Sequence, residues 1–562
     1  MEIFMKHTVP RLAVAVAATL GASQAMATDP TKAQDIVVYI GGSSALDKPL
    51  VSVIKEDICN SSLSAIDYLD FTATNNNGTI SYAPKSDGWG IACQSDKLGI
   101  SGNPKVLIIK RSKDGSGFGV NPLAQNIAKK TVSGKTVYTA TDPAATIRGT
   151  AQPTITSSKC KVSDSSMPNA WTCTTASTDW ENVIYDGGLS DVDPGMFAGA
   201  GINEYSTFPS MTASQVKLLS IKTVVAQVFA PVVNTPLYKA LQEAQFGIGN
   251  ACVGADTQEC LPSLTSEQLA SIYAGKVKTW SEVSVGGKPL TDPTVTSTAD
   301  GDSLHRVFIV RRDSGSGTQA VQNAAFLNAP CSQAFGGIAP AFDLLAVKKP
   351  DANLYPGAVG SNEATGPVVI EVASTGTSEN LYGDLETGSN NSSFNAKANK
   401  GWAIGFLGAE RNTTKKFGYR YIKVDGVAPT IDNVWAGNYK VWGEATMQWR
   451  SALSGWAKKS FVDGANKLAG NANTGANKAT VLNKIQLSLA NPARLTSLNS
   501  AAKQSWGNAG FLLPVSASAS LTPAVSAAEL ATKPVFAYTH ATGNASANFC
   551  RAATSSKGIA IK

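Results

Sequence analysis

The stretch RVFIVRRDSGSGTQAVQNAAFL at residues 306–327 decides the predicted fold. Its first five residues are mostly apolar or β-branched and predict a buried strand. The run RRDSGSGT at 311–318 is rich in glycine and serine, which predicts a tight turn. Residues 319–327 predict a helix. The stretch therefore leads from a strand through a turn directly into a helix.

The same order of elements occurs twice earlier in the chain. IVVYIGGSSA at 36–45 is followed by an apolar-periodic stretch over 46–54. VLIIKRSKDGSGFG at 106–119 is followed by a predicted helix over 122–128. Strands that alternate with helices favour an α/β fold with largely parallel or mixed sheets.

Other segments depart from this order. Residues 131–180 are rich in threonine and serine and predict a surface insertion, which we place at about 120–180. Residues 385–400 and 465–480 predict loops. A further helix is predicted over 265–273, with Thr265 as its N-cap.

Composition excludes several classes of protein. The chain has 562 residues, 43% of them hydrophobic, which suffices for about two to four domains with buried cores. It has no Gly-X-Y period, sustained heptad or repeated long apolar span, so collagen, coiled coils and multi-pass membrane proteins are excluded. No G-x-x-x-x-G-K-[ST] loop is present, which argues against a P-loop nucleotide enzyme. The net charge is +7, and the sequence has no run of five basic residues, so we expect no nucleic-acid partner.

Histidine and cysteine contents restrict the chemistry further. Of three histidines, His7 lies near the N-terminus, which leaves His305 and His540 for the rest of the chain. The eight cysteines form no C-x-x-C pair, so a zinc knuckle or a thioredoxin-type site lacks support. We therefore predict no catalytic residue, no metal and no cofactor.

The N-terminus has the pattern of a secretory signal peptide. Lys6 and Arg11 supply positive charge, residues 12–22 form an apolar stretch, and AMA at 25–27 supplies small residues for cleavage. We predict cleavage after Ala27 and a periplasmic or extracellular location of the Gram-negative type. An uncleaved N-terminal anchor is the alternative.

Export makes the cysteines candidates for disulfides. Short spacings predict the pairs Cys160–Cys173 and Cys252–Cys260. Cys59–Cys93 is a plausible third pair and would leave Cys331–Cys550, but other connectivities of these four cysteines stay open.

The three turns share a chemistry that suits an oxyanion. The first N–H groups of a helix have no partner within the helix, and the helix dipole places partial positive charge there. An oxyanion at that point is hydrogen-bonded without a full counter-charge, and serine or threonine hydroxyls add donors. Arg312 can offer a planar fork to two oxygens. Three such turns in one chain indicate a site for a tetrahedral oxyanion.

A fourth segment, IYDGGLSD at 184–191, predicts a strand that ends in Ser-Asp. Asp191 has the usual alternative role of an N-cap or turn residue. In an anion site, a carboxylate would accept the proton of a protonated oxyanion and repel one without a proton. Phosphate near neutral pH carries such a proton and sulfate does not.

In order along the chain, these segments resemble the phosphate-binding periplasmic proteins of phosphate ABC transporters. GGSSA at 41–45, GSGFG at 115–119 and GLSD at 188–191 are similar to the phosphate-binding turns of that family. LTSEQLASIYAGKVKTWSEV at 264–283 is the most diagnostic stretch, and RDSGSGT at 312–318 matches a further turn.

The resemblance implies the two-lobed periplasmic-binding-protein (type 2) fold, an α/β fold in which each lobe is a mixed sheet flanked by helices. After the signal peptide at 1–27, lobe 1 would comprise 28–229 plus 436–562, and lobe 2 would comprise 230–435. The anion would lie in the cleft between them. Carried over by position, the ligand-binding residues are Ser43, Ser44, Ser116, Asp191, Arg312, Ser316, Gly317 and Thr318.

We therefore predict a secreted, non-enzymatic binding protein for inorganic phosphate or a related oxyanion. We expect a monomer, and an ABC permease is a candidate partner. Two alternatives stay open: a phosphatase-like hydrolase on the same scaffold, and a surface or matrix protein that has lost ligand binding.

Overall fold

Alternating apolar segments form mixed sheets with helices on their faces in the computed structural model, which confirms the predicted α/β class. The structure describes residues 29–60, 67–70, 88–112, 115–124, 127–132, 135–140, 150–153, 160–164, 167–173, 180–183, 185–198, 203, 211–331, 366–372, 374–409, 411–412, 414–430, 433–434, 436–451, 472–490, 511–514, 535–536, 538–540, 549–550 and 552–555. The predicted signal peptide lies outside these residues. Within them, no helix is both long enough and apolar enough to cross a bilayer.

The strands are, in chain order, β1 (Ile36–Gly42), β2 (Asp67–Asp70), β3 (Gly88–Gln94), β4 (Lys105–Arg111), β5 (Ile127–Val132), β6 (Lys135–Ala140), β7 (Thr150–Pro153), β8 (Cys160–Asp164), β9 (Met167–Cys173), β10 (Trp180–Val183), β11 (Gly187–Ser190), β12 (Leu219–Asn234), β13 (Ser263–Leu264), β14 (Ser284–Val285), β15 (Lys288–Pro289), β16 (Phe308–Arg312), β17 (Val368–Val372), β18 (Ala403–Gly408), β19 (Tyr419–Tyr421), β20 (Lys423–Val424), β21 (Trp442–Arg450), β22 (Phe511–Pro514), β23 (Val535–Phe536), β24 (Tyr538–Thr539) and β25 (Thr554–Ser555). The α-helices are α1 (Asp47–Val53), α2 (Gly115–Phe118), α3 (Asn121–Ala124), α4 (Ala213–Val216), α5 (Thr235–Phe246), α6 (Ser266–Tyr273), α7 (Gly317–Leu327), α8 (Thr375–Thr387) and α9 (Gly475–Leu489). A π-helical turn, Ile54–Ile58, continues α1, and 3-10 turns form at Pro194–Phe197 and Trp280–Glu282.

Two groups of strands pair with different parts of the long strand β12. Its first part, up to Val228, pairs antiparallel with β21, and from Phe229 onward it pairs antiparallel with β18. Beyond β21 the order is β11, β1, β4, β3, β2, β9 and β8, and beyond β18 it is β16 and β17. β1 is parallel to β11 and β4, and β16 is parallel to β17 and β18. In each group, three parallel strands therefore end at the same edge of the sheet. The division into two lobes at these residues stays a prediction.

The core lies on both faces of β1. Ile36, Val38 and Ile40 belong to a buried cluster that includes the apolar residues of α1 and α9. Val37 and Tyr39 belong to the core on the opposite face. Because helices and loops cover both faces, this parallel strand is apolar without interruption. Each buried aliphatic side chain contributes about 1.5–3 kcal/mol.

Local signals place several elements as predicted. Thr265 caps α6: its hydroxyl accepts a hydrogen bond from the Gln268 N–H at 3.1 Å, and the Gln268 side chain accepts one from the Thr265 N–H at 2.9 Å. This reciprocal capping box satisfies two N–H groups that the helix leaves unpaired. The prediction of Thr265 as an N-cap is confirmed.

Two predictions are wrong in part, and a third segment has more regular structure than its composition indicates. The helix predicted over 122–128 is confirmed only for α3, which ends at Ala124, because β5 begins at Ile127. The surface insertion contains strands β5 to β10, and β9 pairs parallel with β2 so that β8 and β9 extend the edge of the main sheet. The loop prediction for 465–480 is wrong from Gly475 onward, where α9 begins. Thr474 caps that helix, and its apolar face packs in the same cluster as β1. Tertiary packing thus overrides the glycine and asparagine content of the segment.

The structure contains four disulfides and no free cysteine. The two short-range pairs, Cys160–Cys173 and Cys252–Cys260, form as the spacing predicted. The pairs that the sequence left open are Cys59–Cys93 and Cys331–Cys550. Cys160 and Cys173 lie directly opposite each other on β8 and β9.

Candidate functional site

A cavity lies where turns follow the carboxyl ends of the parallel strands. It is lined by Ser43, Ser44, Ala45, Gly115, Asp191, Arg312, Ser316, Gly317, Thr318, Thr375, Leu407, Gly408 and Arg411. Seven of the eight predicted ligand-binding residues are in this set, and Ser116, the eighth, hydrogen-bonds to the backbone of Asp191. Ligands in open α/β folds bind at this end of the strands because helix beginnings and loops converge there.

The first turn places Ser43 against Asp191. Gly42 ends β1 at φ +106°, a conformation that favours glycine, and a Cβ there would collide with the carbonyl oxygen of Leu189. The Ser43 N–H donates to that same carbonyl at 3.0 Å. The Ser43 hydroxyl hydrogen-bonds to Oδ1 of Asp191. The turn therefore fixes a hydroxyl directly on the carboxyl group.

Asp191 is almost completely buried, with 6% of its surface exposed. Its N–H donates to the hydroxyl of Ser116 at 3.0 Å, which ties the second turn to the end of β11. Burial raises the pKa of Asp191, while the Ser43 hydrogen bond and the charge of Arg312 oppose that rise. A carboxyl group in this environment is suited to share a proton with a ligand.

The third turn presents Arg312 and the start of α7. Ser316 caps the helix by accepting a hydrogen bond from the Gln319 N–H at 3.4 Å. The Gln319 side chain in turn accepts a hydrogen bond from the Arg312 N–H at 3.1 Å. These bonds hold the end of β16 against the first turn of α7. The residues Gly317 and Thr318, at the positive end of the helix dipole, therefore line the cavity.

The two Gly-Ser-Gly turns touch each other. The Gly117 N–H donates to the carbonyl oxygen of Gly315 at 2.7 Å. A Cβ on Gly317 would lie 2.4 Å from the Ser116 hydroxyl oxygen and 2.7 Å from Cβ of Asp191. Glycine suits position 317 because any Cβ there would overlap the side chains of Ser116 and Asp191. This contact joins turns from the two groups of strands.

Thr375 is a cavity residue that the sequence analysis missed. The Arg312 Nη1 donates to its hydroxyl at 2.6 Å, and Arg312 Nε donates to the Val372 carbonyl at 3.3 Å. The signal was present, since the apolar segment VVIEV at 368–372 is followed by STG at 374–376 and a helix. It repeats the strand, turn and helix order of the three recognised turns.

Arg411 was also missed, and the sequence offers no local signal for it. Its Nε and Nη2 donate to the two carboxylate oxygens of Glu379 on α8, at 3.1 and 2.5 Å. Glu379 has 2% of its side chain exposed and also accepts a hydrogen bond from the Tyr419 hydroxyl at 3.0 Å. The ion pair brings together residues that lie 32 positions apart in sequence.

A buried cation lies beneath the first turn. The Lys110 ammonium group donates to the carbonyl oxygens of Gly42 and Arg111, at 2.8 and 2.9 Å, and pairs with Asp47 at 3.4 Å. Burial lowers the pKa of Lys110, and the Asp47 charge opposes that change. Lys110 therefore stabilises the turn from within the core rather than lining the cavity.

Both histidines of the described residues lie away from the cavity lining. His305 has its Nδ1 3.5 Å from Asp300. His540 Nδ1 lies 3.0 Å from a carboxylate oxygen of the buried Glu444, and its ring contacts Trp442 in a tilted arrangement with ring centroids 4.2 Å apart. A histidine that could act as a base toward a cavity-lining hydroxyl is therefore not found at this site.

Comparisons with known proteins place the chain near several phosphate-binding structures at low similarity. No protein-family model matches the sequence, and no curated protein matches it. A Clostridium perfringens protein described as a phosphate ABC transporter substrate-binding protein, with bound phosphate, is 12% identical over 84% of this chain and 98% of its own, with a TM-score of 0.32. PstS from Borrelia burgdorferi is 13% identical over 85% and 98%, with a TM-score of 0.29. An ABC-type phosphate transport receptor from Vibrio cholerae is 14% identical over 59% and 81%, with a TM-score of 0.26. Similarity this low does not indicate which ligand the chain binds, so the ligand is inferred from the cavity.

Proposed function

We propose that this protein is a secreted binding protein for a protonated tetrahedral oxyanion, with inorganic phosphate as the main candidate. The single observation that carries the proposal is that buried Asp191 and buried Arg312 line one cavity together with serine and threonine hydroxyls and the start of α7. Such a set combines one cation, several neutral donors and one proton acceptor.

Each group would have a distinct role toward phosphate. Arg312 would hold one or two oxygens through its planar guanidinium group. Ser44 and Thr318 would donate from their hydroxyls, with the N–H groups at the start of α7 as further donors. The Ser43 hydroxyl donates to Asp191 and would hold that carboxyl group in place beside the ligand. Asp191 would accept the ligand's proton. Sulfate lacks that proton, so its oxygen would face the carboxylate without a hydrogen bond.

The proposal also includes the two lobes, the compartment and the partner that the sequence predicts. The lobes 28–229 plus 436–562 and 230–435 would close on the ligand as two bodies. The protein would act as a monomer in the periplasm or outside the cell, with an ABC permease as a candidate partner. Support for the compartment comes from the pattern of residues 6–27 and from the disulfides.

Binding is proposed in preference to hydrolysis for a specific reason. Ser316 is the candidate nucleophile, but its hydroxyl oxygen accepts the capping hydrogen bond of α7. Among the residues that the structure describes, no histidine lines the cavity to take its proton. Incubation of the purified protein with p-nitrophenyl phosphate tests the alternative. Turnover that Ser316→Ala abolishes would favour a hydrolase.

Calorimetric titration with phosphate and sulfate tests the proposed site. Arg312→Ala should weaken phosphate binding by about 2–5 kcal/mol, the range for removing one partner of a buried charged contact. Arg420→Ala is a matched control, because Arg420 pairs with Asp256 and is not a lining residue.

Asp191→Asn should raise the affinity for sulfate relative to that for phosphate. An unchanged phosphate affinity in Arg312→Ala would remove the site assignment.

A further inference from the structure

Arg411 gives the cavity a second guanidinium group. It lines the cavity together with Leu407 and Gly408 at the end of β18. Arg411 is half-buried, with 39% of its side chain exposed, whereas Arg312 is buried. Arg411 is therefore the more solvent-exposed of the two arginines that line the cavity.

Glu379 holds Arg411 in place before any ligand arrives. A buried carboxylate is costly unless it is paired, and Glu379 takes its hydrogen bonds from Arg411 and from the Tyr419 hydroxyl. The bidentate contact joins Nε and Nη2 of Arg411 to the two carboxylate oxygens of Glu379. Arg411 is therefore a positioned cation at the cavity rather than a freely rotating surface arginine.

The cavity has an empty volume of about 410 Å³, which includes the space at its opening. A ligand with a second group beyond its phosphoryl group would have Arg411 within the same cavity.

We propose that Arg411 is a specificity-determining residue that binds the second anionic group of a ligand whose phosphoryl group lies beside Arg312 and Asp191. The ligand class is that of diphosphates and phosphorylated acids, and the inference rests on the function proposed for the cavity. The Arg411 guanidinium, whose charge Glu379 balances, would hydrogen-bond an anionic group at the opening, which orthophosphate does not present.

Titration with inorganic pyrophosphate and orthophosphate tests this inference. Wild-type protein should bind both. Arg411→Gln should lose about tenfold or more in affinity for pyrophosphate, the effect of one charge-assisted contact. Its affinity for orthophosphate should fall by a clearly smaller factor, because Arg312 and Asp191 would hold that anion. Arg411→Lys should recover only part of the pyrophosphate affinity, because an ammonium group keeps the charge and lacks the fork.

A second variant distinguishes the loss of a ligand contact from a loss of folding. Arg411→Gln alone leaves Glu379 buried without its cation, so the double variant Glu379→Gln/Arg411→Gln removes both charges and keeps two amides that can hydrogen-bond. It should fold as the wild type does, judged by thermal unfolding, and should still lose pyrophosphate affinity selectively.

The outcomes separate this inference from the proposed function. Wild-type protein that binds neither anion refutes the function itself. Wild-type protein that binds orthophosphate but not pyrophosphate, or a double variant that weakens both ligands equally, refutes the role of Arg411 and leaves the phosphate site intact.

Discussion

Replacing Gly317 with alanine would place a methyl group between the two glycine-rich turns that meet at the cavity. The new Cβ would lie 2.4 Å from the Ser116 hydroxyl oxygen, 2.7 Å from Cβ of Asp191 and 2.8 Å from its Oδ2. All three atoms belong to turns of the other group of strands. Alanine keeps the N–H of residue 317, so the change removes no backbone donor from the site.

The expected cost follows from the overlap. Forcing an extra methyl group into a well-packed contact costs about 1–3 kcal/mol. If the two groups of strands can separate slightly, that cost falls on the closed, ligand-bound state. Phosphate affinity should then fall by about fivefold to about 150-fold. The unfolding free energy should change by less than about 1 kcal/mol, since alanine also favours the helix that begins at residue 317.

Calorimetric titration and denaturant unfolding of the variant measure both quantities. Gly376→Ala is the matched control, because Gly376 is the second residue of α8 and a Cβ there has no atom within 4 Å. The control should bind phosphate as the wild type does. If Gly317→Ala binds phosphate within about twofold of the wild type, the contact between the turns does not exist in the bound protein.

Two further predictions concern stability. The Cys331–Cys550 disulfide spans 219 residues and Cys252–Cys260 spans 8, so replacing the first pair with serines should lower the unfolding free energy by about 5 kcal/mol, against about 3 kcal/mol for the second. Denaturant unfolding compares the two double variants, and equal losses would contradict the chain-entropy reasoning. Burial alone would raise the pKa of Glu243, but hydrogen bonds from the Thr-Ser-Thr segment at 296–298 outweigh burial and lower the pKa from 4.5 to about 2. The folded protein therefore gains stability from this carboxylate above pH 4.5 and loses it as the pH falls toward 2. The difference in unfolding free energy between wild type and Glu243→Gln should shrink over that interval. A difference that is constant with pH would contradict this assignment.

Much of the candidate site was predictable because its parts are local. Gly315 at φ +89°, Ser316 as the cap of α7 and Arg312 at the end of β16 all lie within four residues of one another. Strand, glycine turn and helix start depend on neighbouring residues, so one sequence carries enough information to recognise them. The same reasoning applied to STG at 374–376 would have found Thr375.

Other features had no local signal. Arg411 is an isolated arginine after β18, and only its pairing with Glu379 and its place on the cavity wall single it out. The loop prediction for 465–480 was wrong from Gly475 onward because α9 gains its stability by packing against β1, which no neighbouring residue reveals.

Short stretches of the sequence specify most of the strand, turn and helix units, their caps, and the kinds of side chain that each turn presents. They do so because conformational preferences depend mainly on neighbouring residues. The hydrogen bond between Gly117 and Gly315, and the cavity that Arg411 and Thr375 share with Asp191, arise from the tertiary fold alone. Those distances depend on the order in which strands pair with β12, and strand order is set by the burial of many distant apolar residues at once.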